Sequence, residues 1–95
     1  MLCPTPDAVF CDAERRPYFL WDVDLSLEEF EAQLADPTTR PYWLATLLRQ
    51  AKPDDVYRFV SLPELSAEWP GLAPGVGKQR PFWEWRIRRW REHGE

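Results

Sequence analysis

Apolar residues recur along the middle of the chain at spacings that predict amphipathic helices. Leu27, Phe30 and Leu34 fall on one helical face, because residues three or four apart lie above one another on a helix. Ser26 and Glu29 form a capping box at the start of this run, a pattern typical of a helix N-terminus. A first helix is therefore expected to begin at Leu27 and to end at the Asp-Pro pair that follows residue 35.

A second apolar stripe predicts a helix over residues 40–51. Its members are Trp43, Leu44, Leu47, Leu48 and Ala51. Thr39 is expected to act as the N-cap of this helix. Pro41 falls in the first turn, where a missing N–H group is tolerated.

Two shorter signals follow the second stripe. Asp54 or Asp55 is expected to cap a short turn of helix that carries the apolar side chains of residues 56, 59 and 60. Ser61 and Glu64 then form a second capping box, which predicts another helix start at residue 62.

The last helix, expected over residues 81–91, has two apolar faces. A Pro- and Gly-rich segment, residues 70–77, precedes it and predicts a loop. One face of the helix carries Trp83, Ile87 and Trp90, and the other carries Phe82, Trp85, Arg86 and Arg89. Because a small core can receive one face, we expect Trp83 and Trp90 to be buried, together with Trp43, and Trp85 to be the most exposed tryptophan.

The prolines of the N-terminal part predict irregular structure. Residues 1–17 are expected to form an irregular arm, and residues 18–23 are aromatic and extended in character, as a strand or an arm over the core. No segment shows sustained alternation with a period of two. We therefore predict a small all-α bundle of four to five short helices, formed by residues 18–95 as a single domain, with an extended N-terminal arm.

The aromatic content of the chain raises the question of where its six tryptophans lie. The 95 residues include six Trp, three Tyr and five Phe, and 44% of residues are hydrophobic, which excludes a disordered chain. The longest apolar run, residues 18–21, is far too short to cross a membrane. Since a domain of this size buries only about 60–65% of its unfolded surface, some tryptophans are expected to stay at the surface.

Charge is distributed unevenly along the chain. Residues 1–36 hold nine acidic and two basic residues, whereas residues 78–95 hold six basic and three acidic residues. The two ends could attract each other within the fold, or the basic segment could meet an acidic partner. Nucleic acid is a weaker alternative, because few phosphates could be neutralised by so small a basic excess.

The inventory of chemical groups favours a protein that is not an enzyme. The only histidine is His93, near the C-terminus, and no serine or phosphate-binding motif has its required context. Asp22 and Asp24 could hold Mg²⁺ if they lay on a strand, but turn and capping chemistry explains them more simply. We therefore predict no catalytic residue, no metal site and no cofactor.

The N-terminal sequence predicts a cytoplasmic protein. It contains no basic and apolar segments of the kind found in secretory signals. Cys3 and Cys11 are accordingly expected to be reduced thiols, although a local disulfide between them is an open alternative.

Several aromatic-rich blocks carry a resemblance to a protein family. They are residues 16–24 (RPYFLWDVD), 27–30, 42–44, 53–56, 58–60 and 82–85. In these blocks the chain resembles small bacterial proteins encoded just ahead of a nucleotidyltransferase-like protein of the abortive-infection type. The resemblance covers about residues 16–90 and implies an antitoxin-like role, with no catalytic residues to carry over and without the DNA-binding winged helix of better-known antitoxins.

The sequence therefore predicts a non-enzymatic protein-interaction module, an antitoxin-like partner of a nucleotidyltransferase-like toxin. The residues expected to contact the partner are Phe82, Trp85, Arg86, Arg89, Asp22 and Asp24. One alternative is a small nucleic-acid-binding protein that uses the basic C-terminal helix. Another is a homo-oligomer that buries its surplus tryptophans across a two-fold axis. No membrane association is expected.

Overall fold

Both capping boxes form in the computed structural model of the protein. Ser26 Oγ accepts a hydrogen bond from the backbone N–H of Glu29 at 3.1 Å, and Glu29 accepts one from the N–H of Ser26 at 2.9 Å. The same reciprocal pair joins Ser61 and Glu64. Each box satisfies N–H groups that a helix start would otherwise leave unpaired, so both predicted helix starts are confirmed.

The structure describes residues 6–93, apart from the side chains of Asp7 and Ala8. The helices are α1 (Asp7–Phe10), α2 (Leu27–Ala35), α3 (Arg40–Gln50), α4 (Pro53–Val56), α5 (Leu62–Leu72) and α6 (Arg80–His93). Short 3₁₀ turns lie at Tyr18–Leu20, Ala73–Gly75 and Gly77–Gln79. Over the described residues the chain forms no β-strand, and the predicted small all-α bundle is confirmed.

Helix α3 lies at the centre of the bundle. It packs against α2, α4 and α5 and against the 3₁₀ turns that precede α6. Its residues 44–48 are all buried, including the polar Thr46, whose hydroxyl donates a hydrogen bond to the Tyr42 carbonyl at 3.0 Å. Because this internal bond satisfies the hydroxyl, Thr46 can be buried like its apolar neighbours. Other elements of the bundle can therefore pack against α3 on most of its sides.

Thr39 occupies the N-cap position of α3 but does not cap the helix. Its backbone has φ −106° and ψ −17°, which is not the extended conformation of a capping residue. The hydroxyl instead donates a hydrogen bond to the Gln33 carbonyl near the end of α2, at 2.8 Å. The predicted side-chain cap is therefore wrong, and Thr39 joins two helices instead.

Residues 18–23 do not form the extended segment predicted from the sequence. Tyr18–Leu20 is a 3₁₀ turn, in which Phe19 is 0% and Leu20 1% exposed. Successive side chains on a strand point to opposite faces, whereas a 3₁₀ turn separates them by about 120°. The turn thus allows two consecutive apolar side chains to enter one core.

The loop predicted at residues 70–77 begins later than expected. Helix α5 continues through Pro70 to Leu72, and 3₁₀ turns follow. Proline has no N–H to donate to the carbonyl four residues earlier, which is that of Ser66. The guanidinium of Arg91 donates a hydrogen bond to this carbonyl at 3.2 Å, so the missing helical bond is replaced from α6.

The segment predicted as an irregular arm packs against the bundle over its described part. Phe10 is 2% exposed, and its ring meets those of Tyr18 and Phe59. Residues 11 and 17 form an isolated antiparallel bridge around a tight turn. The carbonyl of Arg15 in this turn accepts a hydrogen bond from the N–H of Leu27 at 2.7 Å, which ties the segment to the start of α2.

Candidate interaction surface

The two faces of α6 have different environments. Trp83 is 1% and Ile87 2% exposed, as the sequence predicts. Trp90 on the same stripe and Trp43 on α3 are only half-buried. The predicted core face is thus confirmed for Trp83 and Ile87. Trp43 and Trp90 were also predicted to be buried, but their complete burial is not observed.

The opposite face of α6 presents two aromatic rings to solvent. Phe82 is 37% and Trp85 47% exposed, and their ring centroids lie 6.1 Å apart at an interplanar angle of 45°. Arg89 places Cζ at 5.9 Å from the centroid of the Trp85 ring, within the range of a cation–π contact. We call Phe82, Trp85 and Arg89 the aromatic strip.

Arg86, predicted as a fourth member of this face, is turned away from the strip. It lies against the Tyr57 hydroxyl, where burial raises the pKa of Tyr57 and the charge and hydrogen bond of Arg86 oppose that rise. Arg86 also lines a groove between α5 and α6, with Trp90 and Leu62 among its apolar walls and a volume of about 640 Å³. Helical periodicity predicted that Arg86 would lie beside Phe82 and Trp85. Its contacts with other elements direct the side chain away from them.

Trp21, and not Trp85, is the most exposed tryptophan. Its relative exposure is 78%, so the prediction for Trp85 is wrong. Trp21 follows the 3₁₀ turn in which Phe19 and Leu20 fill the core, and the rotation per residue carries the next side chain outward. The run of four apolar residues at 18–21 did not show which of them would face solvent.

A second apolar surface surrounds Trp21. Val9 on α1 is 63% exposed, and a cavity of about 380 Å³ beside Trp21 has apolar walls that include Val9 and Val23 and charged walls formed by Asp12 and Arg16. We call Val9, Trp21 and this cavity the N-terminal patch. No local pattern of the sequence indicates this patch, because its parts come from α1 and from the turn that contains Tyr18, which are brought together only by folding.

Asp22 and Asp24 are both exposed and face different neighbours. Asp22 Oδ1 lies 3.5 Å from Gln50 Nε2, and Asp24 Oδ1 lies 3.5 Å from Arg16 Nη1. Because the segment is a turn and not a strand, the two carboxylates do not share a face. Across residues 6–93 no group of three or more His, Cys, Asp or Glu side chains is arranged to hold a metal ion.

The turn beside the patch is held by Arg16. Its side chain pairs with Asp12 at 2.9 Å, with Glu14 at 3.0 Å and with Asp24. Hydrogen bonds from the backbone and side chain of Arg16 lower the pKa of Asp12. One arginine thus meets three carboxylates, so this side of the protein keeps an acidic character.

Cys11 is half-buried at the edge of the N-terminal patch. Burial raises the pKa of its thiol, which favours the protonated form over the reactive thiolate. The predicted alternative of a disulfide with Cys3 lies outside the described residues.

None of the helices described between residues 6 and 93 combines the length and apolar character that crossing a bilayer demands. Comparison with protein-family models, curated proteins and solved structures finds no match for the chain. The resemblance to the proteins encoded beside abortive-infection nucleotidyltransferases therefore stays a prediction.

Proposed function

We propose that this protein is a non-enzymatic interaction module that binds a partner protein through the aromatic strip of α6. The partner implied by the sequence resemblance is a nucleotidyltransferase-like protein encoded next to it, toward which the module would act as an antitoxin. The observation that carries this proposal is the contact between two solvent-exposed rings, Phe82 and Trp85, with Arg89 over the second ring.

The composition of the strip supports a protein partner. Aromatic residues and arginine are enriched in protein interfaces, and tryptophan and arginine are enriched among the residues that dominate binding energy. Both rings are already in contact with one another, and Arg89 is held over Trp85. Side chains that are ordered before binding lose less entropy in the complex, which favours affinity from a small surface.

The other basic residues of α6 favour protein over nucleic acid. Arg80 pairs with Glu84 at 2.9 Å, Arg91 binds Ser66, and Arg86 faces the groove between α5 and α6. These contacts occupy three of the four other arginines of α6 and leave Arg88 exposed, and the chain as a whole carries a net charge of −4, so few cations face a phosphate backbone. We expect any affinity for nucleic acid to be weak and to disappear as salt is raised.

Co-expression with the protein encoded immediately downstream tests the proposal. We expect the two proteins to copurify, and Trp85→Ala or Arg89→Ala to weaken the complex by about tenfold or more, as for residues at the centre of an interface. Tyr42→Ala is the matched control, because Tyr42 is 65% exposed on α3 and lies outside the strip. Absence of association at micromolar concentration, or equal losses for Trp85→Ala and Tyr42→Ala, would contradict the proposal.

A growth assay tests the antitoxin-like part separately. If the downstream protein arrests growth when expressed alone, co-expression of the wild-type module should relieve the arrest, and Trp85→Ala should relieve it less than Tyr42→Ala. Copurification without any relief of growth arrest would leave the interaction module intact and overturn the antitoxin assignment.

A further inference from the structure

We propose that this protein also associates with itself head to tail, with the N-terminal patch of one copy docking on the aromatic strip of the next. The inference goes beyond the proposed function, since it concerns the protein alone and requires no second protein. It assigns an occupant to the N-terminal patch, which the sequence analysis did not identify.

The N-terminal patch has the shape and chemistry of a docking surface. Trp21 is 78% and Val9 63% exposed, although moving apolar side chains of this size out of water lowers the free energy. The cavity beside them has a volume of about 380 Å³. This volume lies near the lower limit of small-ligand sites and has room for an aromatic side chain, such as the strip presents.

Charge complementarity identifies a second copy as the occupant. Asp12 and Arg16 line the cavity of the patch, and Arg16 pairs with the carboxylates of residues 12, 14 and 24, so three carboxylates meet one guanidinium group there. On α6, Arg88 and Arg89 are exposed beside the rings of the strip. Each surface thus combines exposed aromatic area with charge of the sign opposite to that of the other, which favours their encounter.

The same charges oppose a two-fold dimer centred on either surface alone. Strip against strip would bring Arg88 and Arg89 toward their counterparts. Patch against patch would bring two acidic surfaces together, each with three carboxylates around the single guanidinium group of Arg16. The excess carboxylates of one copy meet the guanidinium groups of another where a patch faces a strip. A head-to-tail assembly leaves one free patch and one free strip at its ends and can grow past two copies, whereas a two-fold dimer with reciprocal patch–strip contacts would stop at two.

Self-association and partner binding would then exclude each other. The strip presents one small set of rings, and a copy docked on it covers Trp85 and Arg89, the residues assigned to the partner. At high protein concentration, most aromatic strips would be covered by the N-terminal patch of another copy. A partner that binds the strip more tightly would displace that copy and release single copies from the assembly.

Sedimentation velocity on the purified full chain tests the inference. At low salt, from about 1 µM to about 1 mM protein, we expect the weight-average mass to rise continuously past that of a dimer and to fall again when salt is added. Trp21→Ala and Arg89→Glu should each give monomers, while Tyr42→Ala behaves as the wild type. A wild-type protein that stays monomeric throughout this range, or that stops at a dimer, would overturn the inference.

Mixing the two variants provides the decisive measurement. Trp21→Ala keeps an intact strip and Arg89→Glu keeps an intact patch, so an equimolar mixture should form a one-to-one heterodimer that grows no further. Two monomeric variants that fail to combine would show that the wild-type assembly is not head to tail. Thermal unfolding of each variant, compared with the wild type, confirms that both are folded.

The result is separable from the proposed function. Trp21→Ala leaves the aromatic strip unchanged, so it should bind the downstream protein at least as well as the wild type does. Loss of self-association with retained partner binding supports both proposals. A wild-type protein that binds the partner but never self-associates contradicts only the head-to-tail inference.

Discussion

The guanidinium of Arg91 donates hydrogen bonds to both the hydroxyl of Ser66, at 2.7 Å, and its carbonyl, at 3.2 Å. This carbonyl is the one that Pro70 cannot bind, because proline has no N–H. A side chain from α6 therefore repairs the hydrogen-bond ladder of α5, and the same contact holds the two helices together. The aromatic strip lies on α6, so its position depends in part on this repair.

The repair predicts a coupling between Arg91 and Pro70. Arg91→Ala should lower the free energy of unfolding by about 1 kcal/mol, the usual net contribution of such hydrogen bonds. The loss should be smaller in a Pro70→Ala background, because the alanine brings an N–H that can bind the Ser66 carbonyl. Urea unfolding of the two single variants and the double variant measures this coupling as a double-mutant cycle.

Arg88→Ala is the matched control for that cycle, since Arg88 lies on the exposed side of the same helix. It should change stability by less than about 0.5 kcal/mol in either background. Equal losses from Arg91→Ala with and without Pro70 would show that Arg91 contributes through its charge or its packing, and not by replacing the missing helical bond.

Pro70 also shows where sequence reasoning reaches its limit. The starts of α2 and α5 were predicted correctly because a capping box lies within four consecutive residues and needs no tertiary contact. The passage of α5 through Pro70 depends on Arg91, which is 21 positions further along the chain. No local rule for proline contains that information.

For the candidate interaction surface, too, the local features could be predicted from the sequence and the features that depend on tertiary contacts could not. The proximity of Phe82, Trp85 and Arg89 follows from helical periodicity, so the sequence predicted it. The direction of Arg86 and the exposure of Trp21 depend on what packs around them. The prediction for Arg86 was therefore incomplete and that of Trp85 as the most exposed tryptophan was wrong, since a periodic pattern states which residues share a face but not what the face meets.

A second prediction concerns Tyr18 and the buried carboxylate of Asp55. The Tyr18 hydroxyl donates a hydrogen bond to Asp55, which is 0% exposed, and accepts one from the N–H of Lys52 at 2.8 Å. Tyr18→Phe keeps the ring and removes the hydroxyl from both bonds. We expect a loss of about 1–3 kcal/mol in the free energy of unfolding, because a buried acceptor loses a donor.

Tyr42→Phe is the control for Tyr18→Phe. It makes the same chemical change at a ring that is 65% exposed, and it should leave the urea midpoint unchanged. If Tyr18→Phe also left the urea midpoint unchanged, the hydroxyl of Tyr18 would add nothing to stability, and the other contacts of the N-terminal turn would suffice to hold it.

A third prediction is a pH dependence at the start of α5. Hydrogen bonds from the backbone and side chain of Ser61 lower the pKa of Glu64 below its unfolded value of about 4.3. A group with a lowered folded pKa contributes stability above the unfolded pKa, and this contribution is lost as the pH falls through the folded pKa. The capping box of α5 should therefore weaken in acid.

Glu64→Gln isolates this effect, because glutamine can complete a capping box but does not titrate. The free energies of unfolding of the wild type and the variant are compared from about pH 6 to about pH 2. We expect the wild type to be favoured at the upper end and the difference to shrink as the pH falls. A difference that stays constant over the whole range would show that the charge of Glu64 plays no part.

The last prediction separates the two faces of α6. Trp83 Nε1 donates a hydrogen bond to the Leu48 carbonyl at 3.2 Å, near the C-terminus of α3. The N–H four residues further on, that of Lys52, binds Tyr18 instead, so the indole supplies a donor that the helix end lacks. Trp83→Phe removes this donor and leaves a void in the core, and should cost about 2–4 kcal/mol.

Trp85→Phe makes the same change two residues away and should cost less than about 0.5 kcal/mol, because Trp85 is 47% exposed. Urea unfolding of both variants gives the two values. The comparison also bears on function: a ring that contributes little to folding can be used for binding without loss of stability. If Trp85→Phe proved as destabilising as Trp83→Phe, Trp85 would belong to the core, and the aromatic strip would not be available to a partner.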